Sequence, residues 1–222
     1  APSAILIDSA SGTVLYEKNS HEKLEPASLT KIMTLLLAFE AIDSGKVKLT
    51  DKIKVSERAW KTGGSQVFLG PGEEQTLETL LKCITVASAN DASVAVAEYI
   101  GGSVEGFVKM MNDRAKELGM NDTHFVNPHG LSAPGHITSA YDVAIMAREL
   151  VKHPKVFEWS TLWMDYLEHT DKPRNATMLA NTNKLLGKYE GLDGLKTGFH
   201  SKAGYCFAAT AKRGNFRLIS VI

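Results

Sequence analysis

The stretch from Ser28 to Ser44 is apolar nearly all round and ends at Gly45. A helix without a polar face has to be buried, so this one predicts a central helix with other elements packed around it. On either side the chain changes period. Ala4–Asp8 and Thr13–Tyr16 are short β-prone runs around Ser9-Ala10-Ser11-Gly12, which reads as a hairpin. Ala203–Lys212 and Phe216–Ile222 are a second apolar, β-prone pair joined across Arg213-Gly214. The middle of the chain is helical. Thr76 is placed to cap a helix lined by Leu77, Leu80, Leu81 and Ile84. Further helices read from about Asp91 to Tyr99, Ser103 to Leu118 and Tyr141 to Lys152, with stops at Gly101-Gly102, Gly119 and before Pro154. Strands at both ends around a helical middle predict an α+β fold: an antiparallel sheet from the two termini with a helical lobe inserted. There is no internal repeat and no low-complexity linker, which predicts a single domain over residues 1–222. Its sheet lobe would take 1–50 and 190–222, and its helical lobe about 51–189.

Composition removes several function classes. Lys+Arg 25 against Asp+Glu 25 leaves no net charge, whereas a nucleic-acid binder carries a basic excess. No apolar run approaches the roughly 18 residues of a membrane span. The two cysteines, Cys83 and Cys206, are too few for a disulfide framework or a cysteine metal site. They read as core thiols. The opening Ala1-Pro2-Ser3, leading at once into a strand, reads as the start of a processed mature protein.

Three short motifs follow one another: Ser28-Leu29-Thr30-Lys31, Ser88-Ala89-Asn90 and Lys196-Thr197-Gly198. Singly each is weak, since a Ser-x-x-Lys is expected about once by chance in a chain of this length. A second copy indeed occurs at Ser20–Lys23, and a second Lys-Thr-Gly at Lys61–Gly63. Context separates the copies. Ser28 opens the most apolar helix, and Lys31, three residues on, shares its face. Free N–H groups at that helix start suit a developing oxyanion. A plain capping box would put Glu or Gln where Lys31 stands. Ser20 lies in a polar turn with no helix behind it. Lys196 leads into the terminal strand pair, whereas Lys61 lies before a glycine loop.

The ordered set resembles the penicillin-binding serine D,D-peptidases, and closely the low-molecular-mass D-alanyl-D-alanine carboxypeptidases, with most similarity to sporulation-type members. Pro26–Thr34, Gly63-Gly64-Ser65, Ala89–Ala92, Asn127–Leu131 and Gly194–Gly198 all carry the likeness, which spans nearly the whole chain. The resemblance implies acyl transfer without a cofactor. Ser28 would attack the carbonyl between the terminal D-alanines of a peptidoglycan stem peptide, and β-lactams would acylate it covalently. Lys31 would be the general base, with Ser88 relaying a proton to the leaving D-alanine. Asn90 would hold the substrate amide, while Lys196 and Thr197 would bind its carboxylate. Gly198 would let the substrate backbone approach. The oxyanion hole would be the backbone N–H groups of Ser28 and Phe199.

Two other readings are weaker. A class A β-lactamase needs a Glu-x-x-x-Asn deacylation loop, and neither Glu158 nor Glu168 has Asn at that spacing. A non-turnover β-lactam receptor would be expected to carry a membrane run. His124, His129 and His136 lie among Asn, Pro and Gly, without an HExxH helix, and read as loop-structuring residues rather than metal ligands. The resemblance implies a location outside the cytoplasmic membrane, on a bacterial wall, with membrane association only through a C-terminal segment absent here. It also implies a five-stranded sheet completed by a strand and a helix after Ile222. Without them, a sheet face around Leu6, Leu15 and Ile219 would lack cover.

Overall fold

The computed structural model describes residues 1–171 and 174–222. The chain opens with strands β1 (Ala4–Asp8) and β2 (Val14–Lys18), a 3₁₀ turn (Ala27–Thr30) and helix α1 (Lys31–Asp43). It continues through β3 (Lys52–Lys54), α2 (Glu57–Trp60), β4 (Glu74–Thr76), α3 (Leu77–Ala87), α4 (Asn90–Gly101) and α5 (Val104–Glu117). Then come α6 (Ala140–Leu150), α7 (Val156–Ser160), β5 (Met164–Leu167), β6 (Thr177–Ala180), β7 (Leu192–His200), β8 (Gly204–Arg213) and β9 (Phe216–Val221).

The apolar helix is central. Lys31–Phe39 are all buried, and α1 packs against α3, α4, α5 and α6. Its first turn differs from expectation, because Ala27–Thr30 winds as a 3₁₀ turn and no side chain caps it. The Thr76 cap works as read, and two further helices start with caps of the same kind. Thr76, Ser103 and Ser139 each accept a backbone N–H from the first turn of α3, α5 and α6.

A five-stranded antiparallel sheet runs in the order β2-β1-β9-β8-β7, so the two ends of the chain meet in the β1–β9 pair. The sheet has the expected five strands, and all five lie within residues 4–221; β7 is the one the sequence reading did not identify. Its glycines, Gly194 and Gly198, break the apolar alternation that marks a strand in sequence. The face assignment of Ile219 is also corrected. Ile5, Ile7, Ile219 and Val221 are buried on the sheet face that α6 covers, while Leu6 is half-buried and Leu15 exposed. A lobe boundary at about residues 51 and 189 would assign α6 to the helical side, yet α6 packs on β1, β8 and β9. Among the described residues no helix is long and apolar enough to cross a membrane.

Candidate active site

β7, the 3₁₀ turn and the α3–α4 junction meet around a cleft of about 490 Å³. Ser28, Ser65, Ser88, Thr182, Thr197 and Phe199 are among its lining residues. The turn that carries Ser28 is forced into shape. Ala27 has φ +46°, a region non-glycine residues rarely adopt, and Gly130, at φ +92°, approaches so closely that a Cβ would overlap the Ala27 carbonyl oxygen.

Lys31 begins α1, one helical turn beyond Ser28, and its Nζ lies 3.0 Å from Ser28 Oγ. Nζ also donates to Asn90 Oδ1 and to the His129 carbonyl, each at 2.6 Å. Both of those partners can only accept. A neutral amine has two N–H groups and one lone pair, so the lone pair is left facing the serine hydroxyl. Burial, reinforced by the charge of nearby Lys196, holds the Lys31 pKa well below the ordinary lysine value. Proximity and a lowered pKa are the two properties a general base for Ser28 would need.

Ser88 ends α3 in the left-handed region, at φ 60° and ψ 33°. Its Oγ is buried and has no hydrogen-bond partner among the described residues. Ser88 lines the cleft, so this hydroxyl is free to meet a group bound there. Asn90, at the start of α4, is brought to the same place. Its Oδ1 accepts from Lys31, while its Nδ2 donates to the Gly63 carbonyl at 2.7 Å. The observed partners of Asn90 are thus Lys31 and the glycine loop.

Lys196 and Gly198 lie in β7. Lys196 is 2% exposed, and burial lowers its pKa to about 7. Its Nζ donates to the Thr197 carbonyl at 2.9 Å. Thr197 Oγ1 lies 2.5 Å from Thr182 Oγ1. A Cβ on Gly198 would lie 3.0 Å from Ser28 N and 3.1 Å from Ala27 Cβ, so its missing side chain lets the Ser28 turn press on β7. Phe199, the next residue, is 60% exposed and stacks on Tyr205.

The duplicate motifs lie elsewhere or serve otherwise. Ser20 Oγ donates to Glu17, and Lys23 pairs with Asp122. Lys61 pairs with Glu57 on the exposed side of α2. Its Gly63, however, contributes the carbonyl that fixes Asn90.

Sequence reasoning missed three contributors. The His129 carbonyl is a backbone group with no residue signature, although it falls inside Asn127–Leu131. Asp91 accepts from the N–H groups of Val67, Leu69 and Ala92 and pins the loop that runs past Ser65; it stands directly after Asn90. Thr182 had no signal at all. The histidines structure their loop. Val126 N–H donates to His136 Nδ1, which puts the ring proton on Nε2, 2.8 Å from Thr30 Oγ1; Thr30 in turn donates to the Ala27 carbonyl. Glu73, His169 and Asp171 group donors of metal-binding type, but Arg174 and the Gly70 N–H already occupy Glu73 Oε2. They are not among the residues lining the cleft.

The D-alanyl-D-alanine carboxypeptidase family matches the chain over residues 1–222. The chain belongs to this family. It is 55% identical over 223 residues to the D-alanyl-D-alanine carboxypeptidase DacF of Bacillus subtilis, a match covering all of this chain and 57% of that protein. The chain thus spans a little over half the length of that relative. Among solved structures, the D-alanyl-D-alanine carboxypeptidase DacD of Francisella tularensis superposes with a TM-score of 0.94 at 32% identity, covering 100% of this chain and 65% of that one. Penicillin-binding protein D2 of Listeria monocytogenes, in its ampicillin-bound form, gives 0.86 at 33% identity, covering 100% and 88%. The fold is therefore that of the penicillin-binding D,D-peptidases, an α+β chain with a sheet from both termini.

Proposed function

We propose that this chain is a serine D-alanyl-D-alanine carboxypeptidase that removes the terminal D-alanine from peptidoglycan stem pentapeptides outside the cytoplasmic membrane. The observation that carries the reading is the Lys31 amine, with both N–H groups on acceptors and its remaining position 3.0 Å from Ser28 Oγ. Ser28 Oγ gives its proton to Lys31 Nζ and bonds to the carbonyl carbon of the penultimate D-alanine. The oxyanion is held by the N–H groups of Ser28 and Phe199. As the C–N bond breaks, the leaving amine takes a proton through Ser88 Oγ. Water then cleaves the ester and restores Ser28. Lys196 and Thr197 hold the terminal carboxylate, Gly198 keeps β7 close to the nucleophile, and Asn90 holds Lys31 and the rim that faces the substrate amide. β-Lactams, which carry a reactive carbonyl and a carboxylate, acylate the same serine; the ampicillin-bound relative supports this.

Neither Glu158 nor Glu168 is followed by Asn at the Glu-x-x-x-Asn spacing, and neither is among the described residues that line the cleft, which favours a peptidase over a β-lactamase. The deciding experiment digests a stem pentapeptide and follows it by mass spectrometry. Loss of one alanine, together with a long-lived complex when nitrocefin is added in excess, is expected. Rapid sustained nitrocefin turnover would overturn the assignment.

A further inference from the structure

Outside the three motifs, the Thr182 side chain meets Lys196-Thr197-Gly198 directly. Thr182 Oγ1 is 2.5 Å from Thr197 Oγ1. The loop that presents it is pinned through Asn181. Asn181 donates its backbone N–H to the Trp163 carbonyl at 2.9 Å, and its Nδ2 to the carbonyls of Ser160 and Leu162. Asn181 Oδ1 accepts from Asn183 N–H at 2.9 Å, and Asn183 Oδ1 accepts from Leu185 N–H at 3.1 Å. Thr182 thus follows directly on the anchored Asn181, in a turn that the Asn181 and Asn183 side chains close, and meets β7 from there.

Two hydroxyls in contact share one hydrogen bond and leave one O–H free. If Thr182 donates to Thr197, the Thr197 hydrogen is turned away from Thr182; if Thr197 donates, the free hydrogen belongs to Thr182. In either case a single oriented donor remains on the Thr182–Thr197 pair, strengthened by the bond behind it. A carboxylate has only acceptors, and a charge-assisted bond to it is stronger than one to a neutral group. A lone threonine hydroxyl would rotate and would have to be ordered when the ligand arrives.

We infer that Thr182 is a positioning residue for the substrate carboxylate, paired with Thr197 so that the two hydroxyls act as one donor. This rests on the carboxylate role proposed above for Lys196 and Thr197.

The test compares kcat/KM for a D-Ala-D-Ala peptide acid and its C-terminal amide in wild type, Thr182→Val, Thr182→Ser, Thr197→Val and the Val/Val double variant. Thr182 is exposed, so the valine variant should fold. The acid-over-amide preference should fall about tenfold or more in Thr182→Val, the scale of one hydrogen bond to a charged group. Thr182→Ser should restore most of it. The double variant should lose little beyond Thr197→Val, because one coupled donor is removed once. An unchanged preference in Thr182→Val, an equal loss on acid and amide, or losses that multiply in the double variant would each overturn the pairing. A wild type that cleaves acid and amide equally would overturn the carboxylate reading itself, and the pairing with it.

Discussion

Lys31 and Lys196 are both buried lysines, but they are held in opposite ways. Lys31 donates to Asn90 and the His129 carbonyl, so removing it would strand two acceptors. Lys196 has a single backbone acceptor and a pKa lowered to about 7, so around neutral pH the fold bears the cost of a desolvated cation. Lys196→Met should therefore raise Tm by a few degrees, since about 1 kcal/mol moves a domain of this size by roughly 2–4 °C. It should at the same time cut peptide cleavage sharply. A lower Tm in that variant would show that the cation is structurally satisfied. Ser28→Ala should abolish labelling by fluorescent penicillin, with cleavage falling by as much as on the order of 10⁶-fold, the scale for removing a nucleophile. Ser20→Ala, whose hydroxyl is bonded to Glu17, should label as wild type does. Labelling that survives in Ser28→Ala would move the nucleophile elsewhere.

The elements that build the site were legible to different degrees, for physical reasons. The long helices were readable because Gly102 and Gly119 at φ +74° stop α4 and α5, and Thr76, Ser103 and Ser139 start helices with real caps. β7 was not, because Gly194 and Gly198 serve packing against Ser160 and the Ser28 turn and so spoil the strand pattern. The small β3–β4 and β5–β6 ribbons were also missed, being only three or four residues long. Of the site, the three motifs named side chains that the fold brings together, but not that a carbonyl from the Asn127–Leu131 loop meets Lys31. That loop can be tested at Gly130. A Cβ there would overlap the Ala27 carbonyl at a backbone φ of +92°, whereas Gly45, at φ +72°, has open space around it. Gly45→Ala should cost about 1–2 kcal/mol, the left-handed penalty alone. Gly130→Ala adds the steric conflict, about 1–3 kcal/mol more, and should also slow acylation by shifting the Ser28 turn. Denaturant melts with penicillin-labelling rates measure both. Equal costs at the two positions would show that the loop yields freely.

At the scale of the molecule, the histidines behind the nucleophile turn tie the site to global stability. His136 is 1% exposed, and burial lowers its pKa to about 4; burial, with Lys31 nearby, takes His129 to about 3. Both rings are thus neutral in the folded protein at pH values where an unfolded chain, with an ordinary value near 6.5, is protonated. Between about pH 4 and 6.5 the unfolded state binds more protons, so stability rises with pH and is lost on acidification. Each fully shifted histidine contributes a slope of up to about 1.4 kcal/mol per pH unit in that window. Asp91 and Asp142, whose pKa values burial raises, act with the opposite sign and soften the acid loss. The chain from Val126 through His136 and Thr30 to the Ala27 carbonyl needs an acceptor and a donor, which a glutamine side chain can also supply without titrating. His136→Gln should therefore keep penicillin labelling at pH 7 and flatten the fall of Tm from pH 6.5 to 4, with the proton uptake on unfolding reduced by close to one. A Tm profile as steep as that of wild type would show that other groups carry the acid sensitivity.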